Sequence, residues 1–343
     1  MDVLYGDKNY RGLSVFRVLS VDGSKIHLPN SPEICEEFGT IQFTNGKTSE
    51  IMGQRGYGLA SVMYDVINKV IVDGVIANAK AYEVDLALGH LQHTRPGDLL
   101  LFDRNYPCYR LLATLIKLPN RHFVMRCSRK SFAQARDMFK QDIVTSRIVT
   151  VKVPCEKKKK IRDLNLPDKI VVRFVSVRLS TKELEVLVTS LVEEKLYPTE
   201  MFKEIYHLRW GVESFYGLIK ERLNLENFSG RTVLSVKQDF YATLFLSGLE
   251  SILTHLADEQ LTEKSADNKL TQTVNNVVSF NAIKNYVIEL FYNYTPIKSL
   301  LSTLTEWFMK NPTYTDRDRE VPRKKNSTRI SLNDYKRTKK VCF

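Results

Sequence analysis

One short segment carries four polar side chains at spacings that bring them onto one side of an α-helix. Tyr206, Arg209, Glu213 and Lys220 share an arc of roughly 60° when each residue turns by about 100°. The opposite face is apolar and has to pack on a core, so the polar stripe is expected at the edge of that core, where charged groups can form a site. The simpler alternative is an ordinary surface ion pair between Arg209 and Glu213, worth roughly 0.3–0.5 kcal/mol.

Aspartates beside turn and strand signals are the second group of candidates. The residues between Asp98 and Asp103 are continuously apolar, which predicts a strand buried on both faces. Asp103 would stand at the carboxyl end of that strand, where α/β proteins place their sites. Asp98 follows Gly97 and is predicted to cap the entry to the strand. Asp22 precedes a glycine and, taken by itself, is more often a turn residue than a ligand.

The elements needed to position these residues follow an α/β pattern in the first part of the chain. Apolar runs and turn signals predict strands alternating with helices. Gly23-Ser24 predicts a turn between two short strands, and the polar stretch 31–56 predicts a loop. The predicted strands are 15–22, 25–28, 58–66, 69–76, 98–103 and 122–126, and the predicted helices are 81–93 and 109–118.

The middle and the end of the chain have a different character. Beyond Pro198 the pattern is helical to about Lys310, with Thr199 as the predicted N-cap. The lysine run 156–160 predicts a solvated loop that could touch phosphate, although such runs are usually plain surface. The basic tail from residue 316 predicts a flexible segment with non-specific affinity for DNA. Val-rich alternation predicts three further strands at 147–153, 169–179 and 184–192.

Composition narrows the class of protein. The 343 residues include 51 Lys and Arg against 39 Asp and Glu, a net charge of +12 that favours a polyanionic partner such as nucleic acid. A hydrophobic content of 43% excludes a wholly disordered chain. The N-terminus has no apolar signal core, no apolar stretch is long enough to span a bilayer, and five scattered cysteines form no C-x-x-C pair. We therefore expect a soluble, cytosolic protein without a zinc ribbon or a disulfide framework.

Three blocks of the sequence resemble the bacterial cut-and-paste DDE transposases of the insertion-sequence-four family. The polar stripe reproduces the Y-x2-R-x3-E-x6-K signature of one branch of that family. Asp22-Gly23-Ser24, followed by Leu28-Pro29, is similar to the first catalytic block. The segment from Asp98 to Tyr106 is similar to the second, where Asp-Arg-Gly-Tyr or Asp-Arg-Gly-Phe is usual. Asn105 stands at the glycine position here, and Asn tolerates unusual backbone angles.

The resemblance implies a ribonuclease-H-like catalytic core of the α/β class, with an inserted β-rich domain and a helical C-terminal part. It places Asp22 in mid-strand, Asp103 at the end of a neighbouring strand and Glu213 on the later helix, as catalytic residues and metal ligands. Two Mg²⁺ ions about 3.5–4 Å apart would activate water and neutralise the leaving oxygen, with Mn²⁺ as a possible substitute. Carboxylates supply the hard oxygen ligands that Mg²⁺ prefers.

The same resemblance implies DNA-binding roles for the neighbours of the acids. Tyr206 and Arg209 would hold backbone phosphate, and Lys220 would supply a point charge beside the cleaved bond. Arg104 is a weaker phosphate candidate. Trp210 could stack on a displaced base, with packing against the sheet as an equal alternative.

The implied division of the chain has five parts, and the inserted part is expected to lie outside the catalytic sheet. Members of the family usually carry a helical domain that binds the ends of the mobile element ahead of the first aspartate. Only 21 residues precede Asp22 here, so we expect this domain to be missing and DNA to be bound through charge more than through base contacts. The parts are 1–126 (first part of the core), 127–197 (inserted β-rich domain), 198–256 (completion of the core), 257–315 (helical region) and 316–343 (tail).

The sequence thus predicts a transposase catalytic core that cuts DNA at the ends of a mobile element and joins the freed 3′-hydroxyl to target DNA. Its expected partners are double-stranded DNA, from the ends and from the target, and a second copy in a homodimeric synaptic complex. The expected location is the bacterial cytoplasm, at the nucleoid. Two alternatives remain open. One is a metal-dependent nuclease of the same fold without transposition, and the other is an inactive, truncated DNA-binding remnant.

Overall fold

The computed structural model describes residues 12–13, 15–44, 51–292 and 296–316. These residues form two compact units. The first unit contains the described residues up to Ile41 together with Arg55–Gly217, and the second contains Gln42–Gln54 together with the described residues from Leu218 onward. Apart from residue 316, the tail predicted to be flexible lies outside the described residues. Within the described ranges, no helix combines the length and apolarity that a bilayer span requires.

A nine-stranded mixed sheet is the main framework. Its central strand is β1 (Arg17–His27), which pairs antiparallel with β3 (Ile51–Asp65) on one side and parallel with β5 (Asp98–Phe102) on the other. β5 is the apolar run seen in the sequence, and all five of its residues are buried. The other strands are β2 (Thr40–Thr44), β4 (Val70–Asn78), β6 (His122–Cys127), β7 (Ser146–Lys152), β8 (Lys169–Arg178) and β9 (Leu184–Thr189).

Five of these strands have the order β4-β3-β1-β5-β6. β1, β5 and β6 are parallel, whereas β3 runs antiparallel to both β1 and β4. This order and these directions are those of a ribonuclease-H-like core, and the predicted α/β class is confirmed. The helices of the first unit are α1 (Pro32–Phe38), α2 (Glu83–His90), α3 (Tyr109–Lys117), α4 (Ala133–Gln141), α5 (Lys158–Asp163), α6 (Met201–His207) and α7 (Trp210–Gly217).

The two faces of the sheet bury different apolar clusters, because alternate residues of a strand point to opposite faces. Leu19 and Val21 of β1 pack in a cluster with residues of α2 and α3. Val18 of β1 and Leu101 of β5 pack in another cluster with residues of α6, including Tyr206. Tyr206, the first residue of the predicted stripe, therefore belongs to the second face.

The inserted segment contains strands, but the prediction that it lies outside the catalytic sheet is wrong. β9 pairs antiparallel with β6, and β8 and β7 follow in turn, so the segment extends the same sheet. The physical reason is that the free edge of β6 exposes backbone donors and acceptors, which β9 satisfies. The other boundaries of the five-part division stay predictions.

Local signals also misplaced several elements. The turn predicted at Gly23-Ser24 does not form, because β1 continues through both residues and pairs them with Ser61 and Ala60 of β3. The loop predicted at 31–56 contains α1, β2 and the start of β3. The lysine run predicted as a loop is exposed but lies partly in α5. Long-range strand pairing overrides the turn signal of an isolated Asp-Gly pair.

The segment 199–220 is not the single regular helix that its periodicity predicts. α6 and α7 are separated at Leu208 and Arg209, where Arg209 N–H bonds Tyr206 C=O at 3.1 Å and Gly211 N–H bonds Leu208 C=O at 3.0 Å. These i→i−3 bonds tighten the chain relative to an α-helix. After Gly217 the helix widens into a π-helical turn, Leu218–Arg222. The helical positions assigned to the stripe are therefore approximate beyond Leu208.

The second unit is largely helical, as expected for the end of the chain. Its longest helix, α8, begins after an N-cap at Thr232 whose hydroxyl accepts from the Ser235 N–H at 3.1 Å. A two-stranded sheet interrupts the predicted helical pattern. Its elements are α8 (Val233–Lys264), β10 (Leu270–Thr273), α9 (Asn276–Tyr292), α10 (Ile297–Lys310) and β11 (Thr313–Asp316).

Candidate active site

Asp22 and Asp103 lie next to each other on one face of the sheet. β1 and β5 are parallel, and Val21 of β1 is the Cα partner of Phe102 of β5. The residue that follows each of these two partners is an aspartate. Both aspartates lie on the sheet face on which Val18 packs. Asp22 is in the middle of β1, and Asp103 directly follows the end of β5. The topology therefore joins two acids that are far apart in the sequence.

The environment of this pair disfavours two negative charges. The Asp22 side chain is only 18% exposed. Burial, together with the charge of Asp103, raises the pKa of Asp22 from 3.8 to about 7. The Gly23 N–H donates to Asp22 Oδ1 at 2.9 Å and opposes this change. Because the pKa of Asp22 is raised, a cation that approaches this carboxyl stabilises its charged form.

Arg209 connects Asp22 to Glu213. Its Nη2 donates to Glu213 Oε1 at 2.6 Å, and its Nη1 lies 3.8 Å from Asp22 Oδ2. The guanidinium is held over the rings of Tyr206 and Trp210, with its carbon 5.8 and 5.0 Å from their centroids. Burial opposes its charge, yet the neighbouring phenol and carboxylates raise the pKa of Arg209 above its usual value. The arginine of this pair is buried, whereas the Glu213 side chain is 37% exposed, so the pair lies at the edge of the core.

Tyr216 ties α7 to the strands that carry the first acid. Its hydroxyl lies 3.1 Å from the backbone oxygen of Asp22 and 2.9 Å from that of Ala60. The ring of Phe215 stacks on Tyr64 of β3 with centroids 4.8 Å apart. Both contacts position Glu213, one turn earlier in the same helix, above the sheet face that carries Asp22.

The remaining predicted residues have distinct settings. Tyr206 is buried, and its hydroxyl has no hydrogen-bond partner in the described structure. Arg104 is exposed, directly after Asp103. Lys220 belongs to the second unit, where its Nζ lies 4.0 Å from Glu226 Oε1. Burial lowers the pKa of Lys220, against the opposing charge of Glu226. Their DNA-binding roles stay predictions.

Two residues that the sequence pattern did not single out belong to the same neighbourhood. Glu83, in the first turn of α2, approaches Gly23 so closely that a Cβ there would lie 3.0 Å from its Oε1. Burial, then the charge of Asp103, raises the pKa of Glu83. Tyr106 is fully buried, its hydroxyl has no partner in the described structure, and the charges of Asp22 and Glu83 act on it. Glu83 comes from the other sheet face, and no periodicity connects it to the aspartates.

The oxygen donors of this site determine whether a divalent cation fits it. Asp22 and Asp103 present hard oxygen ligands in a place with excess negative charge, which suits Mg²⁺. In the ranges that the structure describes, no three acidic, histidine or cysteine side chains are grouped as a ready metal site. Glu213 is instead held by Arg209. The aspartate pair therefore fits a divalent metal in both ligand type and position. Glu213 has the right ligand type, but its carboxylate is bonded to Arg209.

Other acids of this region are structural. Asp98 accepts two hydrogen bonds from Arg17, both 2.7 Å, and one from the Arg95 N–H at 2.8 Å, so its predicted capping role is confirmed. Ser61, His90 and Asp73 form a chain of hydrogen bonds of 2.9 and 2.6 Å that resembles a hydrolase triad. Ser61 and His90 are buried, however, and this chain joins α2 to the sheet.

A ribonuclease-H-like sheet with paired aspartates on neighbouring strands defines a class of enzymes that act on nucleic-acid phosphodiesters. The chain belongs to the family described as the transposase DDE domain, which matches residues 13–249. Members of this family are enzymes of the nuclease and transesterase kind.

Comparison with individual proteins adds little to the family assignment. No curated protein matches the sequence. Among solved structures, the chain is similar to piggyBac transposase, determined by cryo-EM as a synaptic complex with hairpin DNA. The TM-score is 0.48 and the identity 11%, over 90% of this chain and 59% of that one, so this chain spans less than two thirds of that protein.

Proposed function

We propose that this chain is the catalytic core of a DNA transposase that cuts DNA at the ends of a mobile element and joins the freed 3′-hydroxyls to target DNA. The observation that carries the proposal is the half-buried Asp22–Asp103 pair, in which Asp22 is linked to Glu213 through Arg209. The Y-R-E-K spacing supports placement in the insertion-sequence-four family. A hairpin intermediate on the flanking strand is part of the proposal by analogy only.

Asp22 and Asp103 would hold divalent metal, with Glu213 completing the set of ligands. Two Mg²⁺ ions, or Mn²⁺ in their place, would supply an activated water and neutralise the leaving oxygen. Glu213 would share its carboxylate between the metal and Arg209, which donates to Oε1 in this structure. The Arg209 guanidinium would make a planar, two-point contact with a DNA phosphate where it turns from the acids to the DNA.

The other residues of the stripe would act on the DNA backbone. The Tyr206 hydroxyl is an unused donor beside Arg209, and Lys220 supplies a point charge from the π-helical turn. The Trp210 ring contacts the Arg209 guanidinium, so holding Arg209 is a further role for Trp210 beside base stacking and packing against the sheet. Double-stranded DNA is the proposed partner, bound by a homodimer in a synaptic complex at the bacterial nucleoid.

A nicking assay tests the proposal. A plasmid that carries the gene with its native flanking DNA should be nicked in Mg²⁺ by the wild-type chain, and excess EDTA should stop the reaction. A precleaved duplex with a free 3′-hydroxyl should then be joined to a second plasmid. Nicking without joining would favour the nuclease alternative, and binding without nicking would favour the inactive remnant.

A matched pair of variants assigns any activity to the proposed site. Asp103→Asn should lose nicking, while Asp137→Asn, an exposed acid on α4, should retain it. Equal activity of the two variants would remove Asp103 from the site.

A further inference from the structure

A cavity lined by cationic side chains opens beside the candidate active site in the first unit. It is a cavity of about 740 Å³ bounded by the end of β6, the residues after it, the end of α4 and the turn between β8 and β9. Arg104, the residue after Asp103, is part of its lining. The cavity therefore begins where the catalytic strand β5 ends.

The lining is strongly basic. Five cations face two carboxylates, and one of the carboxylates, Asp142, is already bonded by Arg178 at 3.3 Å. Within the described residues, the side chains of Arg104, Lys130 and Lys182 have no carboxylate within ion-pair distance. Exposed cations without counter-charges around a concave surface favour an anionic ligand. The five cations are Arg104, Arg126, Arg129, Lys130 and Lys182.

Two of the five cations, Arg126 and Arg129, are held by local contacts. Ser128 and Ser131 close the turn after β6, since the Ser128 N–H donates to Ser131 Oγ at 2.8 Å. Arg129, within this turn, places its guanidinium over the Phe139 ring, 5.2 Å from the centroid. The Arg126 guanidinium is fixed by Glu185 at 3.0 Å. Side chains that are already ordered lose less entropy when a ligand binds.

We infer that this cavity binds the phosphodiester backbone of DNA on one side of the cleaved phosphate. The inference rests on the proposed function and adds a binding site outside the acidic pair and the Tyr206–Lys220 stripe. Arg104 directly follows Asp103 and lines the cavity, so a DNA strand with one phosphate at Asp103 would extend its next phosphates towards Arg104 and the turn beyond it. Phosphate contacts from Arg and Lys position a duplex without reading its sequence.

The test uses the full chain and the double variant Arg129→Gln/Lys130→Gln. Its charge-matched control is Lys158→Gln/Lys159→Gln, two exposed lysines of α5 outside the cavity lining. Duplex binding is measured by fluorescence anisotropy at several salt concentrations. Loss of two phosphate contacts should weaken binding at least tenfold at low salt and reduce the slope of log K against log salt by about two. The control should change neither quantity by a comparable amount.

Shortened duplexes locate the contact. Removing DNA from one side of the cleavage position should abolish the difference between wild type and the cavity variant, and removing it from the other side should preserve that difference. Wild-type affinity and slope in the cavity variant, or an equal loss in the control, would overturn the inference. So would a mononucleotide that raises the Tm of the wild type but not of the variant while duplex binding stays equal, because the cavity would then serve a small anion.

The outcomes also separate this inference from the proposed function. A wild-type chain that nicks and joins DNA while the cavity variant binds it normally contradicts only the cavity assignment. Conversely, a wild-type chain that binds DNA through the cavity but never nicks it contradicts the catalytic proposal and leaves the cavity contact intact.

Discussion

The Tyr216 hydroxyl contacts the backbone oxygen of Asp22 at 3.1 Å and joins residues 194 positions apart in the sequence. It connects the helix of Glu213 directly to the strand of the first aspartate. This buried phenol therefore helps to set the distance between the two parts of the candidate site, together with the stacking of Phe215 on Tyr64.

Tyr216→Phe should keep the fold but loosen this connection. Loss of the hydrogen bond to the two carbonyls should lower the free energy of unfolding by about 1 kcal/mol. Cleavage should fall further than stability predicts, because Glu213 moves with α7. Denaturant unfolding and nicking rates are the measurements. Tyr241→Phe, an exposed tyrosine of α8, is the control, and equal effects of the two changes would contradict a positioning role.

Two nearby aspartates should respond in opposite ways to the same substitution. Asp103→Asn should abolish cleavage with little change in stability or DNA affinity, since the basic surface is unchanged. Asp98→Asn should weaken the buried pair with Arg17 and lower stability by about 3 kcal/mol or more. Below its reduced Tm, Asp98→Asn should still cleave DNA. Thermal unfolding and nicking at low temperature distinguish them, and a fully inactive but folded Asp98→Asn would contradict the assignment.

The raised pKa of Asp22 predicts a pH dependence for the metal-free chain. Between the unfolded value of 3.8 and about 7, the folded carboxyl keeps a proton that the unfolded one has lost. Stability should therefore fall as pH rises through this range, by up to about 1.4 kcal/mol per pH unit, and this contribution should level off above pH 7. Asp22→Asn should remove it. Urea unfolding from pH 5 to 8 measures the difference, and parallel curves for the two proteins would disprove the shift.

Arg209→Lys should be almost as harmful to cleavage as Arg209→Ala. Lysine keeps the charge but cannot bridge two acids or make a planar contact with phosphate. We expect at least a tenfold loss of nicking for both variants, with DNA affinity changed much less. Arg162→Lys, in an exposed pair with Asp168, is the control and should behave as wild type. Full activity of Arg209→Ala would return the stripe to a structural role.

Glu83→Gln should change the requirement for metal. Its carboxylate adds negative charge beside Asp103, so its removal should raise the Mg²⁺ concentration for half-maximal nicking several-fold while DNA binding stays unchanged. The control is Asp85→Asn. Asp85 lies two residues after Glu83 on the same helix and is paired with Arg110, so its substitution should have no such effect. An unchanged Mg²⁺ titration for Glu83→Gln would place Glu83 outside the site.

Much of the catalytic framework could be predicted from local patterns. The apolar run before Asp103 is long enough for one buried strand. Asp103 follows the last residue of that run, so its position at the end of the strand can be predicted from the local sequence alone. The Tyr206–Arg209–Glu213 spacing survives the break at Leu208, because the apolar face still has to be buried. These features depend on residues close together in the sequence.

Other features depend on partners far along the chain. For these features the local patterns gave a wrong prediction or none. Asp-Gly at 22–23 is a turn signal, but nine consecutive pairs with β3 hold it in a strand. β9 pairs with the edge of β6. Its alternating polarity predicts a strand, but it does not predict the sheet to which that strand belongs. Only the tertiary structure placed Glu83 beside Gly23 and gathered the cations beside Arg104, because such contacts arise from the packing of separate elements and leave no period in the sequence.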